Sequence, residues 1–207
     1  MYCCKRLRWT LLLVGLISAG CISLDAKPDP SRFFALASLP QIKERNSPPG
    51  TDALTLGIGP VKIPGYLDRQ QLVTRVSQNR FAVAENDRWA EPLEENFSRV
   101  LSQNLSILLQ TDRIVAYPWE RSQQPAYQVQ VEVLRFEPNA EQLVELWARW
   151  SIIDSTKKTI SSRESYLTHP ARDKSTEASV AAMSDVVGGL SKEIAADIRA
   201  LISGPGR

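Results

Sequence analysis

At 207 residues the chain is long enough for one domain with its own core, and short for two once a leader is set aside. Of its 25 basic and 23 acidic residues, three basics and no acids fall in the first twenty positions, so the remainder is close to neutral at 22 against 23. No basic patch interleaves with aromatics, which speaks against a nucleic-acid partner, and with all three cysteines within the first 21 positions the rest of the chain offers one histidine, too meagre a supply for a zinc site.

The chain opens with a positive stretch (Lys5, Arg6, Arg8), an apolar run from Trp9 to Ile17, and the small residues Ser18-Ala19-Gly20. That order reads as an export signal over residues 1–20. The run falls short of the roughly 20 apolar residues that span a bilayer. Ala19, Gly20 and Cys21 resemble a bacterial lipobox, in which the cysteine receives diacylglycerol before cleavage. Ser18 stands where leucine is usual, which leaves simple cleavage after Gly20 as the alternative. Cysteine arithmetic favours the anchor. Cys3 and Cys4 leave with the signal, so the mature chain keeps one thiol and no internal disulfide. Stable anchoring takes more than one acyl chain, each buried CH₂ contributing about 0.8 kcal/mol. An acylated Cys21 end group meets that need. Ile22 follows, where an aspartate would by resemblance to enteric lipoproteins favour the inner membrane; the outer membrane is expected.

Residues 21–31 carry two prolines and no apolar period, and read as a tether, the alternative being an ordered arm. Ten extended residues reach roughly 35 Å at most, which would hold the folded part close to the membrane. The domain is expected over 32–203, with a tail at 204–207.

Arg32 to Leu39 is expected to be a first strand ended by Pro40, and Asn46-Ser47-Pro48-Pro49-Gly50 a loop. Leu54, Leu56 and Ile58 alternate as in a half-buried strand. Pro60 and Pro64 donate no ladder bonds, so this segment is expected at an edge or leaving the sheet. A small hairpin is expected over 72–84, turning at Ser77-Gln78-Asn79. Then the period changes. Leu93, Phe97, Val100, Leu101, Leu105 and Leu108 lie on one helical face, with Pro92 and Glu91, Glu94 and Glu95 suiting its start. Residues 113–119 read as a strand closed by Pro118.

Tyr127, Val129, Val131 and Val133 alternate, and the phase slips at Leu134 and Phe136, which suggests a bulge. On the return strand Val144, Leu146, Ala148, Trp150 and Ile152 share one face, with Glu145, Trp147 and Arg149 on the other. A turn at 154–158 and a polar, edge-like strand over 159–167 complete an antiparallel meander. From Lys174 a second helix presents Val180, Met183, Val187, Leu190, Ile194, Ile198 and Leu201, and Ser203-Gly204-Pro205-Gly206 stops it. Gly188-Gly189 weaken it by roughly 1 kcal/mol each against alanine, which points to close packing on the sheet, a hinge being the alternative. The fold class is α/β: a mixed, largely antiparallel sheet packed by two long amphipathic helices in a single domain.

Catalytic constellations are hard to assemble. His169 is the one available base, placed before Pro170 in an expected loop, and no G-x-S-x-G elbow, Walker A or G-x-G-x-x-G run occurs. The sequons at Asn96 and Asn104 fall within the first helix, where chance explains them.

Gly57-Ile58-Gly59-Pro60-Val61-Lys62-Ile63-Pro64, then Tyr66-Leu67-Asp68-Arg69, then Asp87-Arg88-Trp89-Ala90-Glu91-Pro92-Leu93 form an ordered series. With the lipobox ahead and an amphipathic helix at the end, it resembles the PqiC-type family of ABC-transport auxiliary lipoproteins, the paraquat-inducible lipoprotein family. The resemblance implies a non-catalytic subunit without cofactor or metal. The partners it implies are an MCE-domain protein and inner-membrane permease components of a phospholipid conduit across the periplasm, with ring-like self-assembly in some members. A lipid-anchored hydrolase or ligand-binding protein acting alone is the alternative. Tyr66, Leu67, Asp68 and Arg69 have the Tyr and Arg content of interface hot spots, an ordinary turn being the alternative. Trp147 is a second contact candidate unless the second helix covers it, and Trp89 is expected to cap the apolar face of the first helix.

Overall fold

Both long helices form where the 3.6-residue period places them. The computed structural model describes residues 29–41, 55–120 and 123–204. The signal, Cys21, the tether up to residue 28 and the expected loop at 46–50 lie outside the described residues. Helix α1 spans Leu93–Leu109 and α2 spans Thr176–Ser203. Pro92 is the N-cap of α1, just ahead of the first turn, with Glu94 and Glu95 inside it. Ser175 caps α2 by accepting a bond from the Ala178 N–H at 3.1 Å.

Among the described residues eight strands form two sheets rather than one. The larger has the order β5(Ile114–Ala116), β2(Leu56–Lys62), β6(Tyr127–Pro138), β7(Leu143–Asp154), β8(Thr159–Pro170). The smaller has the order β1(Arg32–Phe34), β4(Arg80–Trp89), β3(Gln71–Ser77). Strands β6, β7 and β8 make the expected antiparallel meander, and the β6 register slips between Val133 and Arg135, where the alternation breaks. The β3–β4 hairpin turns at Gln78-Asn79, between paired Ser77 and Arg80.

Helix α1 and helix α2 cover one face of the five-stranded sheet. Val144, Leu146, Ala148, Trp150 and Ile152 are all buried on β7, as their spacing requires. Phe97 of α1 meets Phe136 of β6 edge to face, with ring centroids 5.3 Å apart. The Trp150 indole N–H donates to Ser165 Oγ at 2.8 Å, which satisfies the polar end of the largest core side chain. The two glycines of α2 serve packing. A Cβ on Gly188 would lie 3.0 Å from Leu39, and one on Gly189 would lie 3.3 Å from Leu167 of β8.

Three expectations are corrected. The first strand stops at Phe34, and Leu36–Leu39 continues as an irregular strap over the helices. Strand β2 is internal rather than at an edge: β5 and β6 flank it in parallel, Pro60 is accommodated because the β2–β6 register shifts between Ile58 and Val61, and Pro64 follows where the chain has left the sheet after Lys62. Gly59 sits in that shift with φ 112°, a conformation side chains disfavour, and a Cβ there would strike Tyr117 at 2.8 Å. His169 lies in β8 opposite Val144, not in a loop, because the meander runs on to Pro170. Trp89, expected beside the first helix, ends β4 opposite Phe34, is buried, and lines one cavity with Leu93 at the start of α1.

Candidate functional site

The β2–β3 connection carries the Tyr66–Arg69 stretch, and its four residues separate into two roles. Leu67 is 3 % exposed and belongs to the core, so it cannot reach a neighbouring chain; its expected contact role is corrected. Tyr66 is half-buried. Its hydroxyl donates to Glu137 Oε2 at 2.7 Å and its ring stacks on Phe81 at 4.6 Å. Burial first, and then the Glu137 carboxylate accepting its hydrogen bond, push the Tyr66 phenol well above its ordinary range. Asp68 and Arg69 are exposed at the bend, where the Arg69 N–H donates to the Leu67 carbonyl at 2.8 Å.

Glu137 organises this junction, and the sequence reading missed it. Only 1 % of its side chain is exposed, and Arg75 of β3 reaches it with Nε and Nη2, each 2.7 Å from Oε1. The Phe136 N–H donates to Glu137 Oε2 at 2.9 Å. The Arg75 guanidinium also lies over the Phe81 ring, 4.4 Å from its centroid. One buried carboxylate thus ties the small sheet to the end of β6. The signal was present: an acid three residues past the slip at Leu134 and directly before Pro138.

A second polar lock holds the strap. The Leu36 N–H donates to Asn96 Oδ1 at 3.1 Å, that of Ala37 to Ser184 Oγ at 3.0 Å, and that of Leu39 to Asn104 Oδ1 at 2.7 Å. Asn104 Nδ2 donates across to Ser191 Oγ of α2 at 3.1 Å. Asn96 and Asn104 are fully buried on the apolar stripe of α1. Two asparagines in phase with that stripe were the available sign. Nearby, Asp87 accepts from Arg32 Nε at 2.7 Å and from the Thr176 hydroxyl at the start of α2. The Arg32 hydrogen bond holds the Asp87 carboxyl below its usual range.

Trp147 stands half-buried on the face of the large sheet opposite the helices, in register with Arg135 and Tyr166. Tyr166 is 60 % exposed. Arg149 Nε beside them donates to Glu164 Oε2 at 2.9 Å, which with the Trp147 hydrogen bond lowers the Glu164 carboxyl. The helices cover the other face, so this row is open. His169 Nε2 lies 3.3 Å from Asp185 Oδ2 in an exposed setting. Among the described residues no three His, Cys, Asp or Glu side chains converge as a metal site, and no helix is long and apolar enough to cross a membrane.

Two solved structures share the fold. A crystal structure of an uncharacterized protein aligns at TM-score 0.67 with 20% identity, covering 81% of this chain and 98% of its own. A protein from Xanthomonas campestris aligns at TM-score 0.65 with 14% identity, covering 80% and 93%. No curated protein matches the chain. The family described as the ABC-type transport auxiliary lipoprotein component, a transport rather than an enzyme family, matches residues 36–195. That span runs from the strap through every strand but β1 and most of α2, and bears out the resemblance carried by the Gly57–Pro64 and Asp87–Leu93 stretches. The chain belongs to the family of ABC-type transport auxiliary lipoprotein components.

Proposed function

We propose that this protein is a non-enzymatic, lipid-anchored subunit of an MCE/ABC-type system that moves phospholipid between membranes. It is tethered through Cys21 to the periplasmic face of the outer membrane, and works by contact with an MCE-domain protein and through it the permease. The family match over 36–195 carries the reading. Asp68 and Arg69 supply one contact surface, and the Trp147 row supplies another; self-assembly into a ring would present either surface repeatedly around the conduit.

Affinity purification of the acylated protein from envelope tests the reading, and MCE and permease components are expected to copurify. Truncating a central hot-spot residue typically costs at least about 2 kcal/mol, roughly thirtyfold in affinity. Asp68→Ala with Arg69→Ala is expected to lose copurification on that scale while the thermal midpoint holds. Purification without partners, combined with a turnover abolished by His169→Ala, would establish the stand-alone hydrolase instead. Cys21→Ser is expected to abolish palmitate incorporation, and sucrose-gradient fractions are expected to place the wild type with outer-membrane markers.

A further inference from the structure

Phe81, Ala82 and Val83 are consecutive, apolar and all exposed. Successive strand residues point to opposite faces, so both faces of this end of the hairpin reach solvent, although the Phe81 ring is covered on one side by Tyr66 and Arg75. Such runs are faults in a soluble surface unless they serve a function. Of the five exposed large apolar side chains among the described residues, Phe33, Phe81 and Val83 sit on the three-stranded sheet. Arg80 beside the run is exposed and makes no ion pair among the described residues.

The direction of β1 says what this end faces. Strand β1 runs parallel to β4, with Arg32 opposite Asp87 and Phe34 opposite Trp89. The chain therefore enters β1 from the side on which the β3–β4 turn lies. From Arg80 to Asp87 is seven residues, roughly 23 Å of strand. From Cys21 to Arg32 is eleven residues, at most roughly 40 Å of contour. An anchored chain is thus long enough to pass the hairpin tip and too short to carry the domain far beyond it.

We infer that the tip of the β3–β4 hairpin is a membrane-contacting element, with Phe81, Ala82 and Val83 resting at the headgroup–acyl boundary of the leaflet that holds the anchor and Arg80 facing lipid phosphates. This deepens the lipid-anchor reading and rests on it. A lipid surface suits the patch better than a protein does. Three side chains fall far short of the roughly 800 Å² per partner of a standard protein interface. Beside an acyl anchor, a small apolar and cationic supplement suffices, because membrane attachment adds such signals. The contact would fix how the domain stands on the membrane, with the Asp68-Arg69 bend, at the far end of β3, turned toward the periplasm.

The acylated mature protein has no thiol of its own free, so Ala82→Cys and Asp68→Cys each introduce a unique labelling site. Both are labelled with an environment-sensitive fluorophore in vesicles of phosphatidylethanolamine and phosphatidylglycerol, with and without brominated acyl chains. The expected result is loss of emission with brominated lipid for the probe at 82 and none for the probe at 68. Adding Val83→Asp, an exposed change that spares the core, is expected to abolish that loss. Radiolabelled palmitate on the same preparations separates the two readings. Palmitate present with an unquenched probe at 82 overturns the hairpin contact alone; palmitate absent overturns the anchor and this contact together. A probe at 82 shielded in detergent, without vesicles, shows a protein docked on the tip and also overturns the proposal.

Discussion

Strands β6, β7 and β8, twelve residues each, lie beneath two helices, and five of the residues on one face of β7 are almost wholly out of water. Strand β1 is three residues long, and its neighbourhood is held by Arg32 on Asp87, Arg75 on Glu137 and three strap amides on Asn96, Ser184 and Asn104. The body is held by burial, which is undirected and grows with area. The small sheet and strap bury Leu36, Leu72, Val73 and Trp89 in the same core, and are held in addition by charged and polar side chains, which fix one geometry and leave unsatisfied groups when a partner is removed. Strap and exposed hairpin both belong to the second region, so the placement of each is set largely by directional bonds.

Breaking the body should give the largest effect. Phe97 is fully buried against Phe136, and Phe97→Ala removes a ring from a packed core. The expected cost is about 3–5 kcal/mol, seen as a lower urea midpoint that is the same by far- and near-ultraviolet circular dichroism. A loss confined to the hairpin would mean that the two regions unfold separately.

Next comes the junction between the regions. Arg75→Met leaves the buried Glu137 carboxylate with Arg135, at 3.9 Å, as its nearest cation, beside the Tyr66 hydroxyl and the Phe136 N–H. Removing one member of a buried pair costs about 3 kcal/mol or more. Tyr66→Phe removes only the hydroxyl that donates to Glu137 and is expected to cost about 1 kcal/mol. A double-mutant cycle should show coupling between them, and additive costs would mean that Glu137 does not join the two side chains.

Asn104→Ala tests the strap. It strips the Leu39 N–H and Ser191 Oγ of a partner at once, and about 2 kcal/mol is expected. Hydrogen exchange should quicken at Leu36 to Leu39 while the β6–β7 amides keep their protection. Equal loss in both places would show that the strap is part of the core rather than attached to it.

What the sequence reveals divides along the same line. The apolar periods of α1, α2, β6 and β7 stand in the sequence because burial leaves a repeating imprint, and the β6 bulge was readable as a broken alternation. The polar locks leave no repeat. Glu137 and Arg75 are 62 positions apart, and Asn104 and Ser191 are 87 apart, so only the fold brings each pair together. The same holds for β2, whose prolines suggested an edge although the register shift at Gly59-Pro60 lets it sit inside the sheet. Of the four residues read together at Tyr66–Arg69, the core took Leu67 and the Glu137 junction took Tyr66, because a four-residue bend folds back on the domain. Asp68, Arg69 and the open Trp147 row remain on the surface.

The smallest effect should come from Asp87, and it should depend on pH. Arg32 on β1 and Thr176 at the start of α2 both bond its carboxylate, and the Arg32 bond is the main cause of a carboxyl held below its usual range. A group whose folded pKa is depressed contributes stability that is complete above its unfolded value, near 4 for aspartate, and is lost as pH falls through the folded value. The wild type should therefore exceed Asp87→Asn in urea midpoint at pH 6, and the two should converge as the pH drops below about 4. Arg32 is 61% exposed, so solvent screens the pair and the gap should lie below that of Asn104→Ala and shrink further in high salt. If the gap instead widened on acidification, the carboxyl would be bonded in its protonated form. The Arg32–Asp87–Thr176 contact would then join β1 to α2 through a neutral hydrogen bond rather than through charge.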